Sequence, residues 1–162
     1  MKAKFTKEDE AFMRLALDKA RSGTERGQTP FGACIVKKGK VVALEHNCVW
    51  RTTDITAHAE VHAIRSACRK LKTISLDDCV IYTTCEPCPM CFSACHWAGL
   101  KKIYFGASIK DAKSAGFNEL FVSAVKMKSA GKSPVHVLSG LLQNENAVFL
   151  SEWGQRKGKK IY

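Results

Sequence analysis

The chain has 162 residues, 46% of them hydrophobic and 25% charged, with 26 Lys and Arg against 15 Asp and Glu for a formal net charge of +11. That length suits one domain with a real core and is too short for two full ones. An apolar run of about eighteen residues, as a membrane helix needs, is missing, and residues 1–10 are charged without an apolar h-region, so the expectation is a cytoplasmic protein with no membrane partner.

Taken in chain order, Thr6 followed by Asp9 has the form of a capping box, with Asp in place of the usual Glu or Gln. It opens a helix to about residue 22 with Phe12, Leu15, Ala16 and Ala20 on its apolar side, ended by Gly23 and Gly27. Residues 31–36 and 41–46 read as strands of an antiparallel hairpin turning at Lys38-Gly39-Lys40. A loop through Thr56 leads to a helix that begins near His58 and runs to about residue 71. Residues 79–83, rich in Val, Ile, Tyr and Thr, form a buried strand, and a helix starting at Cys88 follows it. Residues 103–106 and 135–138 are further strands, with helices over 116–128 between them and over 141 to about 155 at the end. Alternating strands and helices after an antiparallel opening give an α/β fold, a three-layer α/β/α sandwich around a mixed five-stranded sheet.

His58-Ala59-Glu60 and, further on, Pro87-Cys88-Pro89-Met90-Cys91 supply three metal ligands and one free carboxylate. A structural zinc fills all four tetrahedral positions with Cys and His, whereas a catalytic one takes three and leaves the fourth for water, whose pKa falls from about 15.7 toward 7. His58, Cys88 and Cys91 are the expected zinc ligands and Glu60 the expected proton carrier. Pro87 and Pro89 mark a helix start, where unpaired N–H groups favour thiolates. On a regular helix His58 and Glu60 would point about 200° apart. Glu60 reaches the metal's open position only if the helix begins at His58.

Two other chemistries share these residues. Cys85, Cys88, Cys91 and Cys95 have the spacing of an iron–sulfur run, but His96 and Trp97 follow where a proline belongs, and no second cysteine run completes a two-cluster protein. His58 and His62 have the spacing of a metalloprotease helix, yet position 59 is alanine where the catalytic Glu is required. Most of the other cysteines read as small buried residues. In a chain with no export signal, eight cysteines argue for thiols and metal binding over disulfides. The basic charge is scattered except at Arg156, Lys157, Lys159 and Lys160, which reads as a solvated tail, so nucleic acid is a weaker expectation than a small molecule.

H-x-E with P-C-x-x-C is the signature of zinc deaminases acting on nucleobases. On these motifs the chain resembles the bacterial guanine deaminases of the cytidine-deaminase-like superfamily, from about Phe12 to Tyr162. The resemblance implies hydrolysis of guanine to xanthine and ammonia, with Zn2+ as cofactor and Glu60 as proton shuttle. It also implies a purine pocket with Phe31 lining it, Asn47 hydrogen-bonding the base, and an acid in Gly116-Phe117-Asn118-Glu119-Leu120-Phe121 accepting N–H bonds. Trp97 is a further candidate for stacking. Tyr162 matches members in which the partner subunit's exchanged C-terminal segment closes the site, so a homodimer is expected. The chain departs from the family in having Glu119 where Asp is expected, which leaves guanosine open as substrate. The tRNA adenosine deaminases share the same zinc motifs and the stretch around Asp111-Ala112-Lys113, and the basic charge suits them. A non-catalytic module stapled by zinc is the remaining reading.

Overall fold

The structure is a computed structural model, describing residues 5–162. Helix α1 (Lys7–Glu25) precedes the hairpin of β1 (Gly32–Lys37) and β2 (Lys40–His46). A single turn, α2 (Val49–Thr52), and the longer α3 (Ala59–Leu71) lead to β3 (Cys79–Cys85) and α4 (Pro89–Trp97). Then come β4 (Lys102–Ala107), α5 (Ile109–Ser114), α6 (Ala124–Ala130), β5 (His136–Ser139) and α7 (Gln143–Gly154). The sheet order is β2-β1-β3-β4-β5. The β1 strand is antiparallel to both neighbours, whereas β3, β4 and β5 run parallel. This is the expected mixed five-stranded sheet between two helical layers.

Side-chain alternation divides the strands between those layers. Ala33, Ile35, Ile81 and Ile103 face α3, α4 and α6, while Cys34, Val36, Tyr82 and Tyr104 face α1. The expected capping box closes α1: the Asp9 N–H donates to Thr6 Oγ1 at 3.1 Å, and the Thr6 N–H donates to Asp9 Oδ2 at 2.9 Å. The other oxygen of Asp9 accepts from the Tyr82 hydroxyl at 2.8 Å, so one carboxylate both starts the helix and ties it to the sheet. Among the described residues no helix is long and apolar enough to cross a membrane.

Two elements differ from the expectation. Helix α1 runs through Gly23 to Glu25, because Gly23 is a packing glycine: a Cβ there would stand 2.8 Å from the His46 ring. The single helix expected over 116–128 is replaced by α5, a non-helical stretch and the short α6. A second capping box, Ser108 with Asp111, starts α5, and Gly116 at φ +109 ends its continuation.

Gly32 sits where β1 passes beneath α1, and a Cβ there would collide with the Ala16 carbonyl oxygen. Backbone cannot yield as a side-chain tip can. Gly32→Ala is therefore expected to cost about 1–3 kcal/mol, measured as a lower midpoint in urea with an unchanged slope.

Candidate active site

The two ligand-bearing segments are built alike. His58 is the N-cap of α3 with φ −63 and ψ 156, and Cys88 is the N-cap of α4 with φ −62 and ψ 167. Both are extended residues immediately before a helix, and neither side chain caps its own helix. Pro89 at the first position of α4 loses no helical hydrogen bond there. Two positive helix ends therefore meet at one point, which favours anionic sulfur.

The His58 Nδ1 lies 3.5 Å from Cys91 Sγ and 3.7 Å from Cys88 Sγ. The ligand atoms of His58, Cys88 and Cys91 all lie within 4.8 Å of one another. Tetrahedral zinc with bonds of about 2.3 Å to sulfur and 2.0–2.1 Å to nitrogen places those atoms about 3.5 Å apart. The donor spacing thus fits a zinc ion. The protonation pattern agrees: Cys88 is held down at about 4 by a hydrogen bond from the Cys91 thiol, against burial and with help from His58. The same hydrogen bond and burial push Cys91 well above the ordinary thiol range, so the second thiolate forms when a cation arrives.

Glu60 is the second residue of α3, buried at 6% exposure. Because His58 is extended, not helical, the 200° separation of a regular helix does not apply, and the carboxylate lies beside the ligands without joining them. Its Oε1 accepts from the Thr83 hydroxyl at 3.2 Å. Burial pushes its pKa above the ordinary value, and His58 pulls the other way.

The cavity over this centre measures about 290 Å3 and is lined by His58, Cys88, Phe117, Glu119 and Tyr162, among others. Glu119 enters from the non-helical stretch between α5 and α6, its carboxyl pushed up to about 7 by burial and then by Cys88. Tyr162 of the same chain faces His58, with ring centroids 5.4 Å apart. Its hydroxyl accepts from Asn47 Nδ2 at 2.7 Å. Asn47 is fully buried and spends its Oδ1 on the Val49 N–H at 3.1 Å, so it meets the cavity through Tyr162. Phe31 stands behind the wall, edge-on to Phe117 at 4.8 Å.

Trp97 is not part of this group. It ends α4 at 84% exposure, and a helix rising 1.5 Å per residue puts it roughly 13 Å along the axis from Cys88. The iron–sulfur spacing also comes apart: Cys95 lies in the core below the sheet, and the Cys85 thiol points to the Ser108 carbonyl at 3.5 Å.

The comparisons with known proteins agree with this geometry. Residues 6–107 match the family model for the cytidine and deoxycytidylate deaminase zinc-binding region. The chain belongs to that family. It is a zinc-dependent hydrolytic deaminase. A guanine deaminase of Bacillus subtilis is 47% identical over 94% of this chain and 98% of the relative. A structure of the guanine deaminase from that organism, also 47% identical, superposes on 70% of this chain and 73% of its own with a TM-score of 0.68. A guanine deaminase from Nitrosomonas europaea, 28% identical, superposes on 96% of this chain and 87% of its own with a TM-score of 0.85. A tRNA-specific adenosine deaminase of Agrobacterium fabrum is 38% identical over 90% of this chain and 93% of the relative.

Sequence reasoning passed over Glu86, between Cys85 and the first proline of the metal motif. One of its carboxylate oxygens accepts from the Ile109 N–H at 3.1 Å and the other from the Ala124 N–H at 2.9 Å. These are the first residues of α5 and α6, so Glu86 clamps both ends of the segment that carries Phe117 and Glu119. Both partners are backbone groups far along the chain, which no motif reveals. Glu86→Gln keeps one acceptor and turns an NH2 toward the other N–H. Zinc content should be unchanged while amide exchange in residues 116–123 rises by about tenfold, the worth of one charged hydrogen bond.

Proposed function

We propose that the chain converts guanine to xanthine and ammonia, acting as one deaminase domain in the cytoplasm. The observation that carries this reading is the cavity of about 290 Å3 beside the metal ligands, with Tyr162 and Glu119 in its wall. Ligand pockets span roughly 300–1,000 Å3, so this one has room for a single flat base and little more. The near full-length likeness to a guanine deaminase points the same way.

Each side chain then has a task. Phe117 and Tyr162 hold the base by its faces, with Phe31 bracing Phe117. Glu119, when ionised, accepts N–H bonds from the base edge, and Asn47 acts through the Tyr162 hydroxyl to which it donates. Zinc, held by His58, Cys88 and Cys91, supplies a Lewis acid that brings the pKa of water from about 15.7 toward 7. Glu60 takes a proton from the attacking water and delivers it to a ring nitrogen, then carries the proton of the added hydroxyl to the amino group, which leaves as ammonia as the carbonyl forms. A carboxyl raised by burial is suited to carrying a proton both ways near neutral pH.

The assembly we propose is a homodimer that exchanges C-terminal segments. Sequence likeness to the Bacillus subtilis guanine deaminase extends over more of the chain than structural superposition does. A segment seated on its own subunit in one case and on the neighbour in the other would produce that difference.

Deamination of adenosine in tRNA is a second reading, favoured by the net charge of +11 and by the Agrobacterium fabrum relative. Guanosine is the third. Ammonia release from guanine, guanosine, cytidine and an anticodon stem-loop, offered in parallel to zinc-loaded protein, separates them. Guanine should be consumed fastest, and release from the stem-loop alone would reject the leading choice. In Glu60→Gln, turnover should fall by about 10²–10⁴-fold with one zinc retained per chain. Undiminished activity would mean that the metal only staples the fold.

A further inference from the structure

A second cleft, of about 410 Å3, lies beside the C-terminal strap, the residues that follow α7, and away from the metal ligands. Sequence alone makes residues 156–160 a solvated tail, but the structure seats them. The Trp50 Nε1 donates to the Lys160 carbonyl at 3.3 Å, the Lys160 ammonium stands 5.6 Å above the Trp50 ring, and the Lys159 ammonium donates to the Gly154 carbonyl. Arg26, Arg156, Lys157, Lys159 and Lys160 line the cleft together with Trp50, and no carboxylate does. None of these five cations takes part in an ion pair among the described residues. Nearby, His46 is pushed below its ordinary range by burial and then by Lys19, Arg51 and Arg26, a second sign of uncompensated positive potential here. Five cations facing one volume repel one another until an anion enters.

We propose that this cleft binds a phosphate-bearing anion and that its occupancy steadies Tyr162 over the deaminase site. The strap is the physical link: from Lys160 it passes through Ile161 to Tyr162, whose hydroxyl is held by Asn47. Anion binding rests on the cleft alone, while the coupling rests on the guanine reading. Phosphoryl oxygens could come from a free nucleotide or from a polynucleotide backbone, and the exposed indole of Trp50 would take a base beside either.

The test uses zinc-loaded full-length protein at constant ionic strength and titrates inorganic phosphate, guanosine 5′-monophosphate and a short single-stranded RNA by calorimetry, each against Arg156→Gln/Lys157→Gln. Those two side chains lie outside the deaminase machinery, so guanine turnover in chloride should not change in the variant. At least one phosphate-bearing probe should bind, and the variant should weaken it by about tenfold or more. Binding by RNA alone assigns the cleft to a polynucleotide, and the dependence of log affinity on log salt should then be shallower by about 1.4 in the variant. Binding by phosphate or the nucleotide assigns it to a small anion. Saturation with the anion should lower KM for guanine several-fold in the native protein only. Heats no larger than those of matched chloride, or equal affinity in the variant, would overturn the site. Binding without any change in KM would overturn the coupling, and a lack of guanine turnover would leave the calorimetric result standing.

Discussion

Everything at this site depends on two helices that begin at the same place. The parallel pairing of β3 with β4 sends the chain back over the sheet through α4, so the end of β3 and the start of α4 both lie at one edge. The antiparallel hairpin of β1 and β2 brings α3 to the neighbouring position. A helix whose first N–H groups lack partners is a poor neighbour for a cation alone and a good one for thiolate sulfur. The fold therefore supplies anionic ligands at the spot where its own geometry makes them cheapest, and the metal completes a charge balance already leaning toward it.

That balance also explains how a carboxylate can be buried beside two sulfurs. Two thiolates and a neutral imidazole cancel a dication, which leaves Glu60 facing a centre of little net charge in a site that burial has dried. Desolvation then dominates, and it raises the pKa of an acid. Coordinating the metal would hold the carboxylate deprotonated and end the proton carrying proposed for it. Keeping Glu60 a helical position away from the extended His58 prevents this, and the Thr83 hydroxyl steadies it with a neutral donor. The Thr83 hydroxyl also reaches the Cys85 carbonyl at 3.0 Å. Its single proton has two acceptors, so the bond to Glu60 is easily given up when the acid is protonated.

What the sequence revealed and what it hid follow the range of the interactions involved. The Thr6 capping box, the hairpin and the helix starts at His58 and Cys88 are set by residues within a few positions of each other, and all were readable. The metal ligands were readable for another reason: few side chains bind zinc, and an H-x-E paired with P-C-x-x-C is a motif of short-range spacing. The stretch after α5 was misread because its apolar residues have helical spacing, while Gly116 and two backbone bonds from distant Glu86 prevent a helix. Trp97 was overrated because an aromatic near a metal motif in sequence need not be near it in space. Asn47 was marked as a base contact, whereas its immediate partner in the structure, the hydroxyl of Tyr162, lies at the opposite end of the chain.

The contact between Asn47 and Tyr162 fastens the C-terminus at the edge of the cavity. Tyr162 is held by one hydrogen bond and by ring contacts with His58 and Phe117, at the end of a strap whose remaining anchors are the Trp50 bond and the Lys159 bond. One neutral hydrogen bond contributes about 0.5–1.5 kcal/mol net, so the ring contacts and the packing of Ile161 and Tyr162 carry much of the hold on this end. On the guanine reading proposed above, a base entering the cavity would replace those ring contacts with its own faces, and a ribose attached to it would have to leave past Tyr162, so the proposed choice of free base over nucleoside would rest on how far the C-terminus closes.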